Sequence, residues 1–141
     1  MKIFVAASYS SHVNYETGEV FPEYKEELES HLTRLENFGH HVFCALRADS
    51  YKLNDMNPDE AFRLDLDEIK KSDGLFAILD SKISAGVQTE IGIAIGLEKR
   101  IVLGRKAIDE LAYFNNAIIR SGKATEAMLP LGHDPFLASF Y

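Results

Sequence analysis

The 141-residue sequence contains one cysteine, Cys44, and therefore no internal disulfide. Cys44 lies in an apolar run, residues 42–46, which is typical of an inert core residue. No apolar run has the length of a membrane span. The opening run, residues 3–7, is too short for the hydrophobic region of a signal peptide and instead predicts a buried strand. These absences favour a reducing, cytoplasmic setting.

Positive charge is scarce, since 15 Lys and Arg stand against 22 Asp and Glu, for a formal net charge of −7. Phosphate neutralisation supplies most of the affinity for duplex nucleic acid, so an acidic chain without a basic stripe is a poor candidate for that partner. A small anionic ligand stays compatible, because a local site can be positive on a negative protein. A hydrophobic content of 46% over this length fits one globular domain, residues 1–141.

The motifs of several enzyme classes are also missing. The five histidines show no zinc-ligand spacing, and no Walker loop or GxGxxG motif occurs, so we expect neither a metal nor a cofactor. Ser8, Ser10 and Ser11 lack the context of a nucleophile elbow, which argues against a serine hydrolase. A receiver-type signalling module would need an acidic pair after the first strand to hold Mg²⁺, and Ser8, Tyr9 and Ser10 occupy that stretch.

Apolar runs alternate with segments of helical periodicity. This order predicts an α/β fold: a flavodoxin-like or Rossmann-like open, mainly parallel sheet of four to five strands with helices on both faces. Strands are predicted at residues 2–7, 41–46, 74–79 and 100–103, with a further short strand after 128, and helices at 22–37, 58–73, 87–98 and 108–121. Ligands of such sheets bind outside the carboxyl ends of the strands, which singles out loops 8–12, 47–57 and 80–89.

Apolar residues three and four positions apart predict the buried faces of the first two helices. The predicted core positions are Tyr24, Leu28, Leu32, Leu35 and Phe38 in the first helix, and Phe62, Leu66 and Ile69 in the second. In the third helix, Gly92 and Gly96 are expected to permit close packing of helix on sheet.

Glu90 is the strongest catalytic candidate. Its neighbours on the same helix face are Ile93, Ala94 and Leu97, so a carboxylate occupies a face that is otherwise apolar. Burying an unpaired carboxylate is costly and shifts its pKa. The alternative is that Glu90 only complements the helix N-terminus, which is worth roughly 0.3–1 kcal/mol. Ser84 and Gly86 in the preceding loop argue against that alternative, because such a loop suits an anion or sugar hydroxyls.

Asp65 is the second candidate, because it borders the buried stripe of its helix next to Ala61 and Ile69. Taken alone, Asp65 is typical of a surface carboxylate. Together with Glu90, it indicates two carboxyl groups that divide the roles of nucleophile and proton donor. Asp73 is interpreted as a turn residue. Asp80 ends a predicted strand where a ligand contact or a turn residue is expected.

The sequence resembles the nucleoside 2-deoxyribosyltransferases and the related 2′-deoxynucleoside 5′-monophosphate N-hydrolases, from the first strand to about Gly122. The resemblance rests on the opening strand, on Asp65-Leu66 separated from Asp73 by six residues, and on residues 84–92 (SAGVQTEIG) followed by residues 99–103 (KRIVL). The residues from Ser84 to Gly92 are the most specific part.

The resemblance implies that Glu90 attacks the anomeric carbon to form a glycosyl-enzyme, and that Asp65 handles the leaving base. A retaining mechanism of this kind expects carboxyl groups about 5–5.5 Å apart. Ser84 resembles a serine that holds a 5′-phosphate in the hydrolases. Asn116 resembles a transferase asparagine that reaches a neighbouring subunit's site, and Tyr141 a C-terminus that completes such a site.

Two family features have no match here. Ile3 or Phe4 stands where a first-strand tyrosine orients the nucleophile, and the phosphate-binding arginine after that strand is missing. Arg47, or Arg120 from a second subunit, is a candidate substitute for that arginine.

The predicted function is cleavage of the N-glycosidic bond of a nucleoside or nucleoside 5′-monophosphate, with transfer of the sugar to water or to another base in nucleotide salvage. Predicted catalytic residues are Glu90 and Asp65, and predicted substrate-binding residues are Ser8, Ser10, Ser84, Gly86 and Asn116. Homo-oligomerisation, as a dimer or larger, is implied by the resemblance. The alternative is a nucleotide sensor of the same fold with little or no turnover.

Overall fold

The computed structural model describes residues 1–53 and 56–137. Five strands form the main sheet and two short strands form a separate hairpin. They are β1 (Lys2–Ala6), β2 (Val13–Asn14), β3 (Glu19–Val20), β4 (His41–Cys44), β5 (Gly74–Ile78), β6 (Arg100–Lys106) and β7 (Thr125–Leu129). The helices are α1 (Pro22–Asn37), α2 (Ala45–Ala48), α3 (Pro58–Lys71), α4 (Ala85–Gly96) and α5 (Tyr113–Arg120), with a 3-10 turn at Ser10–His12.

The main sheet is entirely parallel, in the order β4-β1-β5-β6-β7. At its centre, Ile3 of β1 pairs with Val42 of β4 on one side and with Gly74 of β5 on the other. This arrangement confirms the predicted α/β class. β2 and β3 form a small antiparallel hairpin after β1.

Helices cover both faces of the sheet, because alternate residues of each strand point to opposite sides. Ile3 and Val5 of β1 pack with the buried leucines of α1, while Phe4 and Ala6 pack with α3 and α4. The two resulting clusters enclose β1 and β5 in apolar contacts. Polar side chains that could bind a ligand are therefore expected at the ends of these strands.

Several predicted boundaries need correction. The second predicted strand ends at Cys44, and α2 follows at once, because Arg47 of α2 is held by Glu29 and Glu36 of α1. β6 continues to Lys106 because it pairs with β7 from Val102 to Lys106. The last helix therefore begins at Tyr113 instead of residue 108.

Some predicted core positions are also wrong. Phe62 of α3 is 50% exposed, so α3 packs through a narrower face that centres on Ile69. Phe38 follows the end of α1 and is exposed, unlike Leu28, Leu32 and Leu35. Gly92 and Gly96 lie on the exposed side of α4, where an added Cβ would meet nothing within 4 Å, and they do not mediate packing on the sheet.

The chain after β7 returns to the amino-terminal edge of the sheet. There, the Nε2 of His40 lies 2.8 Å from the Oδ2 of Asp134, and both side chains are buried. In the described part of the chain, no helix has the length and apolar character needed to span a membrane. Tyr141, which the resemblance singled out, lies outside the described residues.

Candidate active site

A cleft of about 300 Å³ opens at the carboxyl end of β1. Its floor is apolar and includes Phe4 and Val5 of β1. One wall carries Tyr9 and Ser10 from the loop after β1, and the facing wall is the start of α4. The cleft thus lies where ligands of open α/β sheets bind.

Glu90 lies in the second turn of α4 and reaches this cleft. The helix begins two residues earlier than predicted, because Ser84 serves as its N-cap and its hydroxyl accepts a hydrogen bond from the Val87 N–H at 3.3 Å. Val87 and Ile91 of the same helix are buried against the sheet. The α4 backbone is therefore fixed, and the Glu90 carboxyl group with it.

Asp65 of α3 lines the same cleft, because α3 packs alongside α4. Its carboxyl group is hydrogen-bonded to that of Glu90. A hydrogen bond between two carboxyl groups requires a proton on one of them. The two carboxyl groups are therefore neighbours in one cleft.

Burial and, to a smaller extent, the adjacent Asp65 carboxyl group raise the pKa of Glu90 to about 9. Burial also raises the pKa of Asp65, assisted by the charges of Asp49 and Glu68 and opposed by the hydrogen bond from Glu90. Both shifts favour a proton retained by the pair, as expected for like charges in one buried site.

Of the five predicted substrate-binding residues, three line the cleft beside Glu90: Ser10, Ser84 and Gly86. Ser8 is buried, with its hydroxyl 3.2 Å from that of Ser11, and it lines an adjoining pocket of about 260 Å³. Ser84 borders both cavities, so the loop before α4 separates the two.

Asn116 is exposed on α5 and donates from its Nδ2 to the Leu111 carbonyl at 3.3 Å. It does not line either cavity, and its role in a neighbouring subunit stays a prediction. Its neighbour Asn115 is the buried one: it exchanges two hydrogen bonds with Gln88 of α4, at 3.0 and 3.2 Å, and lines the adjoining pocket.

Sequence reasoning missed the part that aromatic residues play in the cleft. Tyr9 lines it, and its hydroxyl donates to the Lys52 carbonyl, which ties the loop after β1 to the segment after α2. Phe4, rather than Ile3, is the first-strand residue on the cleft side. Phenylalanine has no hydroxyl, so this side chain offers Glu90 no hydrogen bond.

The remaining charged candidates lie elsewhere. The guanidinium of Arg47 bonds to Glu29 at 2.9 and 3.2 Å and to Glu36 at 3.0 Å. Arg47 lines neither the cleft nor the adjoining pocket, and its role in binding phosphate stays a hypothesis. Asp73 accepts a hydrogen bond from the Lys2 N–H at the opposite edge of the sheet. Within residues 1–53 and 56–137, no three His, Cys, Asp or Glu side chains form a group that could hold a metal ion.

The sequence profile of the nucleoside 2-deoxyribosyltransferase family matches residues 17–128. The chain belongs to this family. The carboxyl pair lies inside the matched region, and membership makes the protein an enzyme of nucleoside glycosyl transfer or N-glycosidic cleavage. Comparison with curated protein sequences gives no significant match.

Solved structures of this nucleoside 2-deoxyribosyltransferase fold cover nearly the whole chain. The CMP N-glycosidase BcmB of Clostridium botulinum is 25% identical with a TM-score of 0.66, over 92% of this chain and 90% of its own. BlsM is 24% identical with a TM-score of 0.73, over 92% and 80%. The 2-deoxyribosyltransferase of Bacillus psychrosaccharolyticus is 19% identical with a TM-score of 0.63, over 100% and 92%. The last two likenesses establish the fold.

Proposed function

We propose that this protein cleaves the N-glycosidic bond of a nucleoside or nucleoside 5′-monophosphate through a covalent glycosyl-enzyme on Glu90. The observation that carries the proposal is the hydrogen-bonded pair of Glu90 and Asp65 in a cleft walled by the Ser84–Gly86 loop. A buried pair with one proton holds both a nucleophile and an acid, which is what this reaction needs.

In the first step, the proton of the pair lies on Asp65 and Glu90 is a carboxylate. A Glu90 oxygen forms a bond to the anomeric carbon while the bond from that carbon to the base nitrogen breaks. The electron pair of the broken bond stays on the base, and Asp65 donates its proton to the base. The hydrogen bond between the two carboxyl groups provides the path by which the proton leaves Glu90 before the attack.

In the second step, the acceptor attacks the anomeric carbon, and Glu90 leaves as a carboxylate. Asp65, now ionised, takes the proton of the acceptor, which restores the shared proton. Water as acceptor gives hydrolysis, and a second nucleobase gives transfer. Ser10, Ser84 and Gly86, which line the cleft beside the pair, are proposed to hold the sugar.

The charges around the site favour a substrate with an uncharged 5′ end. Among the described residues that line the cleft there is no Lys, Arg or His, whereas Asp65 and Glu90 are both acidic. The adjoining pocket offers Lys82 but also Asp80 and Glu110. A phosphate would therefore face net negative charge from this chain, and the free 5′-hydroxyl of a nucleoside is the better match.

Exposed apolar side chains support the predicted homo-oligomer. Ile83, Ile108, Tyr113 and Phe114 are 70%, 88%, 81% and 71% exposed, and Tyr113 and Phe114 lie side by side at the start of α5. Adjacent exposed aromatic side chains, such as Tyr113 and Phe114, are typical of interaction sites. We propose that a second copy covers it and brings Asn116 to the neighbouring cleft. A fully active monomer in dilute solution would contradict this part.

The function is tested by incubating the protein with matched nucleosides and 5′-monophosphates, with and without free adenine, and separating the products by chromatography. Released base identifies hydrolysis, and exchanged base identifies transfer. The expected result is base release or exchange that Glu90→Ala abolishes. Ligand-induced thermal stabilisation without any turnover would favour the sensor alternative, and full turnover by Glu90→Gln would refute the mechanism.

A further inference from the structure

Two loops form the facing walls of the cleft, and one side-chain contact joins them. The first loop carries Tyr9 and Ser10, and the second carries Ser84 and Gly86. We propose that His12 and Asp80 are positioning residues whose contact fixes the separation of these walls. This inference rests on the proposed function of the cleft and adds two residues to it that neither line the carboxyl pair nor contact it.

The contact spans the two loops directly. The Nε2 of His12 lies 2.7 Å from the Oδ2 of Asp80, and the two side chains are 26% and 24% exposed. His12 ends the 3-10 turn that begins at Ser10, so the residue of the contact and a residue of the cleft wall share one turn. Asp80 follows β5 and begins the loop that leads to Ser84 and α4.

A second aromatic ring packs against the face of the His12 ring. The His12 ring stacks on the Tyr24 ring with 3.6 Å between centroids and parallel planes. The Tyr24 hydroxyl donates to the Ser8 carbonyl at 2.8 Å, and the His12 carbonyl accepts from the Phe21 N–H at 2.9 Å. The loop after β1 is thus attached to α1 at three points, and through Asp80 to the loop before α4.

Tyr24 keeps this arrangement across the physiological pH range. Burial, followed by the negative charge of Asp80, raises the pKa of Tyr24 well above its ordinary value. Its hydroxyl therefore stays protonated and remains a donor to Ser8. A displacement of Asp80 is expected to reach Ser10 through His12, because each contact in the series is direct.

A second histidine–aspartate contact in the same chain provides a matched control. His40 and Asp134 meet at 2.8 Å, but they lie at the amino-terminal edge of the sheet, away from the cleft. A purely structural role for His12 and Asp80 predicts the same behaviour for both pairs. A positioning role predicts that only the first pair affects the two loops and the binding of substrate.

The test measures amide hydrogen exchange and steady-state kinetics on the full chain and on His12→Ala, Asp80→Ala, His12→Gln and His40→Ala. His12→Ala is expected to speed exchange at least fivefold in residues 81–86 as well as in 8–12, and Asp80→Ala is expected to do so in residues 8–12. For a cleaved nucleoside, KM should rise about tenfold with kcat within twofold. His12→Gln keeps an N–H donor for Asp80 and should recover at least half of each effect, whereas His40→Ala should change neither loop nor KM.

Faster amide exchange confined to the substituted loop would overturn the proposal. Equal changes in exchange and KM for His40→Ala would also overturn it, as would a decrease in kcat with KM unchanged. The exchange measurement does not depend on turnover. If the wild-type protein released no base from any nucleoside, the proposed function would fail, while the exchange data would still decide whether His12 and Asp80 couple the two loops.

Discussion

Replacing Glu90 with glutamine is expected to stabilise the protein at neutral and alkaline pH, although the change removes the proposed nucleophile. Burial raises the pKa of Glu90 to about 9, so the folded protein holds a proton there that the unfolded chain has lost. Glutamine resembles the protonated side chain in shape, and its amide can donate to Asp65 as the protonated carboxyl group does. Glutamine therefore keeps the hydrogen bond to Asp65 but has no proton that is lost as the pH rises.

The magnitude follows from the linkage between proton binding and folding. An acid whose pKa is raised by folding binds more protons in the folded state, so the free energy of unfolding falls as pH rises, by about 1.4 kcal/mol per pH unit. This fall begins near the ordinary pKa of 4.5 and ends near 9. Between pH 5 and pH 7, the free energy of unfolding of the wild-type protein should fall by about 3 kcal/mol, and that of Glu90→Gln should not show this fall.

The assay is urea unfolding of both proteins at pH 5, 6, 7 and 8, followed by circular dichroism. The difference in free energy between variant and wild type should grow steadily over this range. Glu26→Gln, at an exposed position of α1, is the control for removing a carboxylate. A constant difference for Glu90→Gln would refute the raised pKa and, with it, the shared proton.

Three further variants test separate parts of the site and fold. Asp65→Asn should lower kcat by about 10²–10⁴-fold because proton delivery is lost, and an equal loss for a nucleoside with a cationic, pre-methylated base would contradict that role. Ser84→Ala should cost about 1 kcal/mol in urea unfolding because α4 loses its N-cap to Val87; an unchanged midpoint would show that the cap is dispensable. Asp134→Ala should cost about 1–3 kcal/mol because buried His40 loses its hydrogen-bond partner, while kcat/KM stays within twofold; a large loss of activity would extend the site to that edge.

The strands of the sheet and most of the helices were predicted correctly from local sequence signals. For the helices, the useful signal was a capping residue or proline at the start of the apolar pattern. Pro22 opens α1 and Asn57 caps α3 through its side chain, which accepts from the Glu60 N–H at 2.9 Å. The β2–β3 hairpin was missed because its two strands have only two residues each. The length of β6 could not be read from its own residues, since its pairing with β7 sets it.

The carboxyl pair was predictable from Glu90 on an apolar helix face and Asp65 on the border of another. Their direct hydrogen bond was not, because it depends on how α3 packs against α4. The contact between His12 and Asp80 joins residues 68 positions apart and leaves no local pattern in the sequence. The exposure of Phe62 likewise depends on which face of α3 the sheet covers.

The proposed mechanism requires that Glu90 becomes covalently glycosylated during turnover. The most direct measurement is mass spectrometry of the intact protein and its peptides after rapid quenching with a 2′-fluoro-2′-deoxynucleoside, whose electron-withdrawing fluorine slows both steps. A covalent mechanism on Glu90 predicts an added glycosyl mass on the peptide that carries Glu90, absent in Glu90→Ala. A glycosyl group on a different residue, or complete base release with no adduct at any time, would contradict it.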